Sequence, residues 1–181
     1  MKTFLKKFIK SPKTVGSFVP SSHKLISSML KNIDFLEDLL IVEFGAGTGV
    51  ITKQILKKIS PNSKILVFEI HSEFIDELNK IKDPRVKIIH DGAQNITNYL
   101  NGEKADVIIS GLPFGSLPKK LGKSILDESH KNLKLNGKFV QFQYFLQNKK
   151  DIFNTFKNHK ISLQLLNFPP AFIYKCEKLH D

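Results

Sequence analysis

The chain has one cysteine, one arginine, no long apolar run, and no aspartate or glutamate in its first 33 residues. Each scarcity removes a class of function. A lone Cys176 excludes a disulfide framework and a cysteine-built zinc site. The six histidines show no metal-ligand spacing, so no metal is expected. No apolar stretch approaches the ~20 residues that a membrane-spanning helix needs. Of 28 basic residues only Arg85 is an arginine. Arginine's planar fork is the usual tool for bidentate reading of phosphates and guanine edges, so the lysine bias disfavours a nucleic-acid partner. What remains is 181 residues, 41% hydrophobic and 25% charged, which is one soluble-type domain with a real core.

The formal net charge of +11 still calls for an anionic partner. Its distribution says more than its sum. Seven lysines (Lys2, Lys6, Lys7, Lys10, Lys13, Lys24 and Lys31) precede the first acid, Asp34. Within them, Phe4, Leu5, Phe8 and Ile9 fall on one stripe of a 3.6-residue period, with Lys2, Lys6, Lys7 and Lys10 opposite. That pattern predicts a short basic amphipathic helix of the kind that lies in a membrane interface. Each lysine near an anionic leaflet contributes about 1 kcal/mol. Lysines interrupt the apolar stretch and no small-residue cleavage site follows, so it is not a secretory signal. Residues 1–34 are therefore expected to be a basic helical extension and 35–181 the main domain. The expected location is cytoplasmic and peripheral, at the inner face of the membrane, as a monomer.

Strand and helix patterns alternate through the rest. Ser21 and Ser22 are placed as a helix N-cap ahead of the stripe Leu25, Ile26, Met29 and Leu30. Seven strands are expected: 39–42, 64–70, 86–89, 105–110, 138–146, 161–166 and 172–176. Helices are expected near 50–59, 73–81, 93–100, 117–133 and 149–158, and Asn136-Gly137 is read as a turn. Apolar runs without strict alternation mean strands covered on both faces. The predicted fold is α/β, a Rossmann-like, mostly parallel seven-stranded sheet with helices on both sides.

The first strand ends in Glu43-Phe44-Gly45-Ala46-Gly47-Thr48-Gly49 and opens a helix, which is a nucleotide-type loop. Glu69 ends the next strand, where a carboxylate can accept both ribose hydroxyls of an adenosine. Asp91 ends the third, in Ile89-His90-Asp91-Gly92-Ala93, and suits an adenine amino group. His71 lies near enough to cover the ribose, although helix entry explains it as well. Glu43 would repel a pyrophosphate and suits a cationic ligand. This set resembles the adenosylmethionine site of class I methyltransferases. The resemblance implies adenosylmethionine as cofactor, held by Glu43, Gly45, Gly47, Thr48, Gly49, Glu69, Asp91, Gly92, Ala93 and Ser110.

Ser110-Gly111-Leu112-Pro113-Phe114 follows the fourth strand. Adenine N6 methyltransferases carry (Asp/Asn)-Pro-Pro-(Tyr/Phe) there, and ribosomal RNA dimethyltransferases carry Asn-Leu-Pro-(Tyr/Phe), with the leading polar side chain accepting the target amine. Here that position is Gly111. Pro113 and Phe114 are retained, and an aromatic face beside a nitrogen turning cationic is favourable. Together with Val15-Gly16-Ser17-Phe18-Val19-Pro20-Ser21-Ser22, Val140-Gln141-Phe142-Gln143-Tyr144 and Asn167-Phe168-Pro169-Pro170-Ala171, this segment resembles the soluble-type bacterial phospholipid N-methyltransferases. More distantly the chain resembles the ribosomal RNA adenine dimethyltransferases. The closer resemblance implies methylation of the phosphatidylethanolamine amine at an anionic membrane surface. Relatives of this type also act on ornithine lipids. It further implies a substrate site at Gly111, Leu112, Pro113, Phe114, Tyr144, Ser21 and Ser22, with Phe114 and Tyr144 nearest the chemistry. No general base is identified.

Overall fold

The computed structural model describes residues 23–167 and 169–179. The expected amphipathic helix at 2–10 and the Ser21-Ser22 cap lie outside the described residues. In chain order the elements are α1 (His23–Leu30), β1 (Leu40–Phe44), α2 (Val50–Leu56), β2 (Lys64–Phe68), α3 (Ser72–Leu78), β3 (Val86–Ile89), a 3₁₀ turn (Ala93–Tyr99), β4 (Ala105–Ser110), a short 3₁₀ turn (Phe114–Ser116), α4 (Lys119–Asn132), β5 (Leu133–Gln143), α5 (Lys149–Thr155), β6 (Asn158–Gln164) and β7 (Ala171–Glu177).

The seven strands form one sheet in the order β3-β2-β1-β4-β5-β7-β6. Strands β1 to β5 run parallel, and β7 is antiparallel to both β5 and β6. Alternate residues of the buried strands feed two cores. Val42, Phe44, Phe68, Ile108 and Phe139 face one side, under α4, α5 and the first 3₁₀ turn. Ile41, Ile65, Val67, Ile109 and Val140 face the other, with α1 and α2. In α1 the side chains of Leu25, Ile26, Met29 and Leu30 are all buried. Burying each contributes about 1.5–3 kcal/mol, which holds an eight-residue helix that would be marginal alone. Helix α1 is thus part of the domain core.

Three expectations change. The predicted helix at 93–100 is a 3₁₀ turn. Its Asn and Thr side chains are held by partners outside the turn, Asn95 Nδ2 donating to Asp91 and the Thr97 hydroxyl to Glu128, and such residues favour turns over helix interiors. The turn expected at Asn136-Gly137 is a bulge inside β5, which starts at Leu133. The register slips from Ala105↔Leu133 to Val107↔Lys138. Asn136 takes φ 62° while its N–H donates to the Lys178 carbonyl. Finally, β5 stops at Gln143, so Tyr144, Phe145 and Leu146 form a loop.

The sole arginine has a structural task. Arg85 forks onto Asp83 and donates to the carbonyls of Leu56, Ile59 and Ser60, capping the end of α2. It lies at the start of β3, at the opposite end of the sheet from the glycine loop.

Candidate active site

The parallel strands place the ends of β1, β2, β3 and β4 side by side, and the loops after them build the site. Gly45, Gly47 and Gly49 have φ of 68°, 55° and 76°, values that a side chain would strain. The loop is pinned to the end of β2. Gly45 N–H and Ala46 N–H donate to the Phe68 carbonyl, and Gly47 N–H donates to Glu69 Oε2 at 2.8 Å. Glu69 Oε1 accepts from the N–H groups of Ile70 and His71. Glu69, expected to hold a ribose, therefore also fixes the loop that would carry the rest of the ligand. His71 itself is the exposed residue that leads into α3.

Glu43 is fully buried. Its Oε2 accepts the Thr52 hydroxyl at 2.6 Å, and its Oε1 has no partner among the described residues. Burial pushes its carboxyl up from 4.5 to about 7, against the pull of the Thr52 hydrogen bonds. A buried acid with one free oxygen beside a glycine loop is matched to a cationic ligand. At the end of β3, Asp91 accepts from Gly92 N–H, Asn95 Nδ2 and the Tyr99 hydroxyl. These bonds, Asn95 first, hold its carboxyl below the ordinary value, so it stays an anionic acceptor.

A cavity of about 60 Å³ brings Gly45, Glu69, Asp91, Gly92 and Ala93 together, walled by Phe68, Ile70, Gln94, Leu112, Leu117, Leu121 and Ile125. The Leu112 side chain lies over Gly45, where a Cβ would come within 2.7 Å of it. Gln94 folds over Gly92 in the same way. Thr48 is exposed on the loop, and Ser110 is buried below it.

The acceptor segment departs from expectation at Phe114. Its ring is 2% exposed and packs against Gly122 of α4, within the core. It lies below the cavity wall, and an aromatic face toward the acceptor is not what it offers in this structure. Gly111 is held by its N–H on the Phe44 carbonyl, and a Cβ there would sit 3.0 Å from the Gly45 carbonyl oxygen. Tyr144 follows β5 and packs edge-on to Phe142. Burial raises its phenol above the ordinary value, opposed by a hydrogen bond with Asn167. Tyr144 is thereby tied to the turn before Pro169.

Several contributing residues escaped sequence reasoning. Thr52 in α2, and Gln94 and Tyr99 in the 3₁₀ turn after β3, are polar groups that nothing local marks. Gln141 carried a signal, a polar residue inside an apolar strand. It is fully buried, and its Nε2 donates to the carbonyls of Leu112 and Phe142 at 2.9 and 2.7 Å.

This sheet order, with a three-glycine loop after β1 and acids closing β1, β2 and β3, defines a class I adenosylmethionine-dependent methyltransferase. The free oxygen of buried Glu43 and the Glu69–Asp91 wall fit that cofactor, which supplies a methyl group on a cationic sulfur. The chain belongs to the ribosomal RNA adenine dimethylase family, whose family model matches residues 10–160. It is 30% identical to an ornithine lipid N-methyltransferase of Singulisphaera acidiphila, over 98% of this chain and 96% of that protein. It is 28% identical to the ribosomal RNA small subunit methyltransferase H of Polynucleobacter necessarius, over 57% of this chain but 30% of that one. In fold it is similar to the N-methyltransferase NodS of Bradyrhizobium japonicum, solved with S-adenosylhomocysteine (TM-score 0.69, 9% identity, 93% of this chain and 92% of that one). It is also similar to an rRNA methylase of Streptococcus thermophilus (TM-score 0.63, 17% identity, 90% and 98%). Among the described residues no helix is long and apolar enough to cross a membrane, and no His, Cys, Asp and Glu cluster could hold a metal.

Proposed function

We propose that this chain is an N-methyltransferase for the primary amine of a membrane-lipid head group. Ornithine lipid is the first candidate acceptor and phosphatidylethanolamine the second. One observation carries the reading: the likeness to an ornithine lipid N-methyltransferase runs over nearly the full length of both chains. The Gly111 position agrees with it, since the polar side chain used on adenine is missing and the Gly45 carbonyl crowds its place. A neutral amine attacks the methyl carbon in line, so the protein's part is to position two reactants and exclude water.

The test is label transfer from radioactive adenosylmethionine in three parallel reactions: vesicles containing ornithine lipid, vesicles containing phosphatidylethanolamine, and total RNA. Label in either lipid supports the reading, and the ratio between the two names the acceptor. A second reading, adenine methylation in ribosomal RNA, draws on the description of the matching family. Label in RNA with none in lipid establishes it and overturns the first.

A further inference from the structure

We propose that the exposed apolar rim made by Phe145 and Leu146 after β5 and by Leu163, Leu165 and Leu166 at the end of β6 docks the cofactor cleft onto an anionic bilayer. These side chains are 45%, 43%, 49%, 68% and 67% exposed. Register puts them at the active-site end. One cross-sheet row runs Phe44–Ser110–Gln141–Tyr174–Ile161. Two residues further toward the glycine loop comes the row Gln143–Phe172–Leu163, and the rim lies at or beyond it. The end of β5 is two strands from β1, about 10 Å at ordinary strand spacing.

The occupant follows from charge and from where the chain enters. Gln164 Nε2 donates to Ser28 Oγ and to the Lys24 carbonyl, fastening the start of α1 beside Leu166. His23, the first described residue, lies beside Leu166, and the sequence ahead of it carries the basic, apolar-striped pattern at 2–10. Exposed Lys24, Lys149 and Lys150 flank it. A bilayer supplies both hydrocarbon and anionic head groups, whereas a second copy carries the same net charge of +11 and is repelled on balance. The inference builds on the lipid-amine reading but has its own readout.

The test compares wild type with the full-length variants L165D/L166D and F145S/L146S. Readouts are sedimentation with vesicles of equal phosphatidylglycerol and phosphatidylcholine, and calorimetric adenosylmethionine binding. Each variant is expected to lose at least about 10-fold in vesicle affinity and to keep cofactor affinity within about twofold. Unchanged sedimentation overturns the proposal, as does loss of self-association with vesicle binding intact, which assigns the rim to a second copy. Vesicle binding through the rim without lipid methylation leaves docking standing and overturns the proposed function instead.

A separate observation carries a second inference: the geometry points to Gln141 Oε1 as the acceptor for the substrate amine. Its amide is oriented by two carbonyls facing Nε2, which leaves Oε1 buried and without a partner among the described residues. An amide oxygen in that state is an unmet acceptor. It belongs to the side chain that holds the Leu112 carbonyl, next to Gly111, where a side-chain acceptor is missing. Among the described residues, Asn148 Oδ1 and Gln143 Nε2 are also buried without partners. During transfer the amine nitrogen forms a bond to the methyl carbon as the sulfur–carbon bond breaks and its electron pair returns to sulfur. The nitrogen becomes cationic and keeps its N–H groups until solvent removes a proton, so an accepting oxygen gains strength as the reaction proceeds. This rests on the lipid-amine reading.

Q141M is compared with wild type on primary, monomethyl and dimethyl head groups, the last followed as substrate or as competitive inhibitor. A primary or secondary amine has an N–H for Oε1, and a neutral dimethyl amine has none. The expected loss in kcat/KM is about 10- to 100-fold on the primary amine, with the dimethyl head group nearly unaffected. Equal losses on all three assign Gln141 to holding the Leu112 turn and overturn the proposal. Wild type failing on every lipid overturns the function on which it rests.

Discussion

Glu43 offers the sharpest test of the cofactor site, because its buried charge makes two quantities depend on pH in opposite directions. Its carboxyl is raised by burial from 4.5 to about 7. Between those values the folded chain holds a proton that the unfolded chain has released. Stability therefore falls as pH rises from about 4.5 to about 7 and is level above, and the full gap corresponds to about 3 kcal/mol. At the size of this chain that is a Tm difference on the order of 6–12 °C. Glu43→Gln removes the titration. Its absolute stability also reflects an amide left without an acceptor, so the informative quantity is the change in the variant-minus-wild-type difference between pH 5 and pH 8. Cofactor binding runs the other way. A cationic ligand facing Oε1 favours the ionised form, so adenosylmethionine affinity rises up to about tenfold per pH unit below pH 7, with one proton released per molecule bound. Calorimetry in buffers of different ionisation heat measures that proton directly. Wild-type binding that is flat from pH 5.5 to 7.5, or a proton release retained in Glu43→Gln, would refute the assignment of Glu43 to the cation.

Much of this site could be read from local sequence, and the parts that could not share a cause. Acids ending successive strands, and glycines where φ must be positive, are set within a few residues of chain, so Glu43, Gly45, Glu69 and Asp91 were legible together. The parallel sheet was implied because strands covered on both faces do not alternate polar and apolar residues, whereas the strand order was not written in any one segment. The Asn136-Gly137 pair misled because a positive φ suits a bulge as well as a hairpin turn, and only the Lys178 backbone decides between them. Phe114 misled for the same reason. Its place depends on Gly122 leaving room on α4, a contact between distant elements. Gln141 was visible as a polar residue in an apolar strand, but its partner Leu112 is 29 residues away. The charge also divides by location. The one arginine, the side chain best suited to reading phosphates, is spent on the end of α2.

Three further substitutions separate these roles. Glu69→Ala removes the acceptor of three backbone N–H groups, so adenosylmethionine affinity should fall at least about 10-fold by calorimetry; unaltered binding would show that neither the ribose nor the loop depends on it. Arg85→Lys should cost about 1–3 kcal/mol in chemical denaturation through lost caps on α2, with cofactor affinity unchanged because Arg85 sits at the far end of the sheet, and an equal loss of cofactor affinity would contradict that placement. Gly111→Asn restores the side chain that adenine enzymes carry, yet it should not create an RNA methyltransferase. Its Cβ would lie 3.0 Å from the Gly45 carbonyl and 3.6 Å from that of Phe44, which are backbone atoms of the loop that holds the cofactor. Relief must come from moving that loop or β4, at about 1–3 kcal/mol of stability, with weaker adenosylmethionine binding as the consequence. A variant that melts at the wild-type temperature and labels RNA would mean that the missing side chain alone, and not the packing around Gly111, keeps nucleobases out.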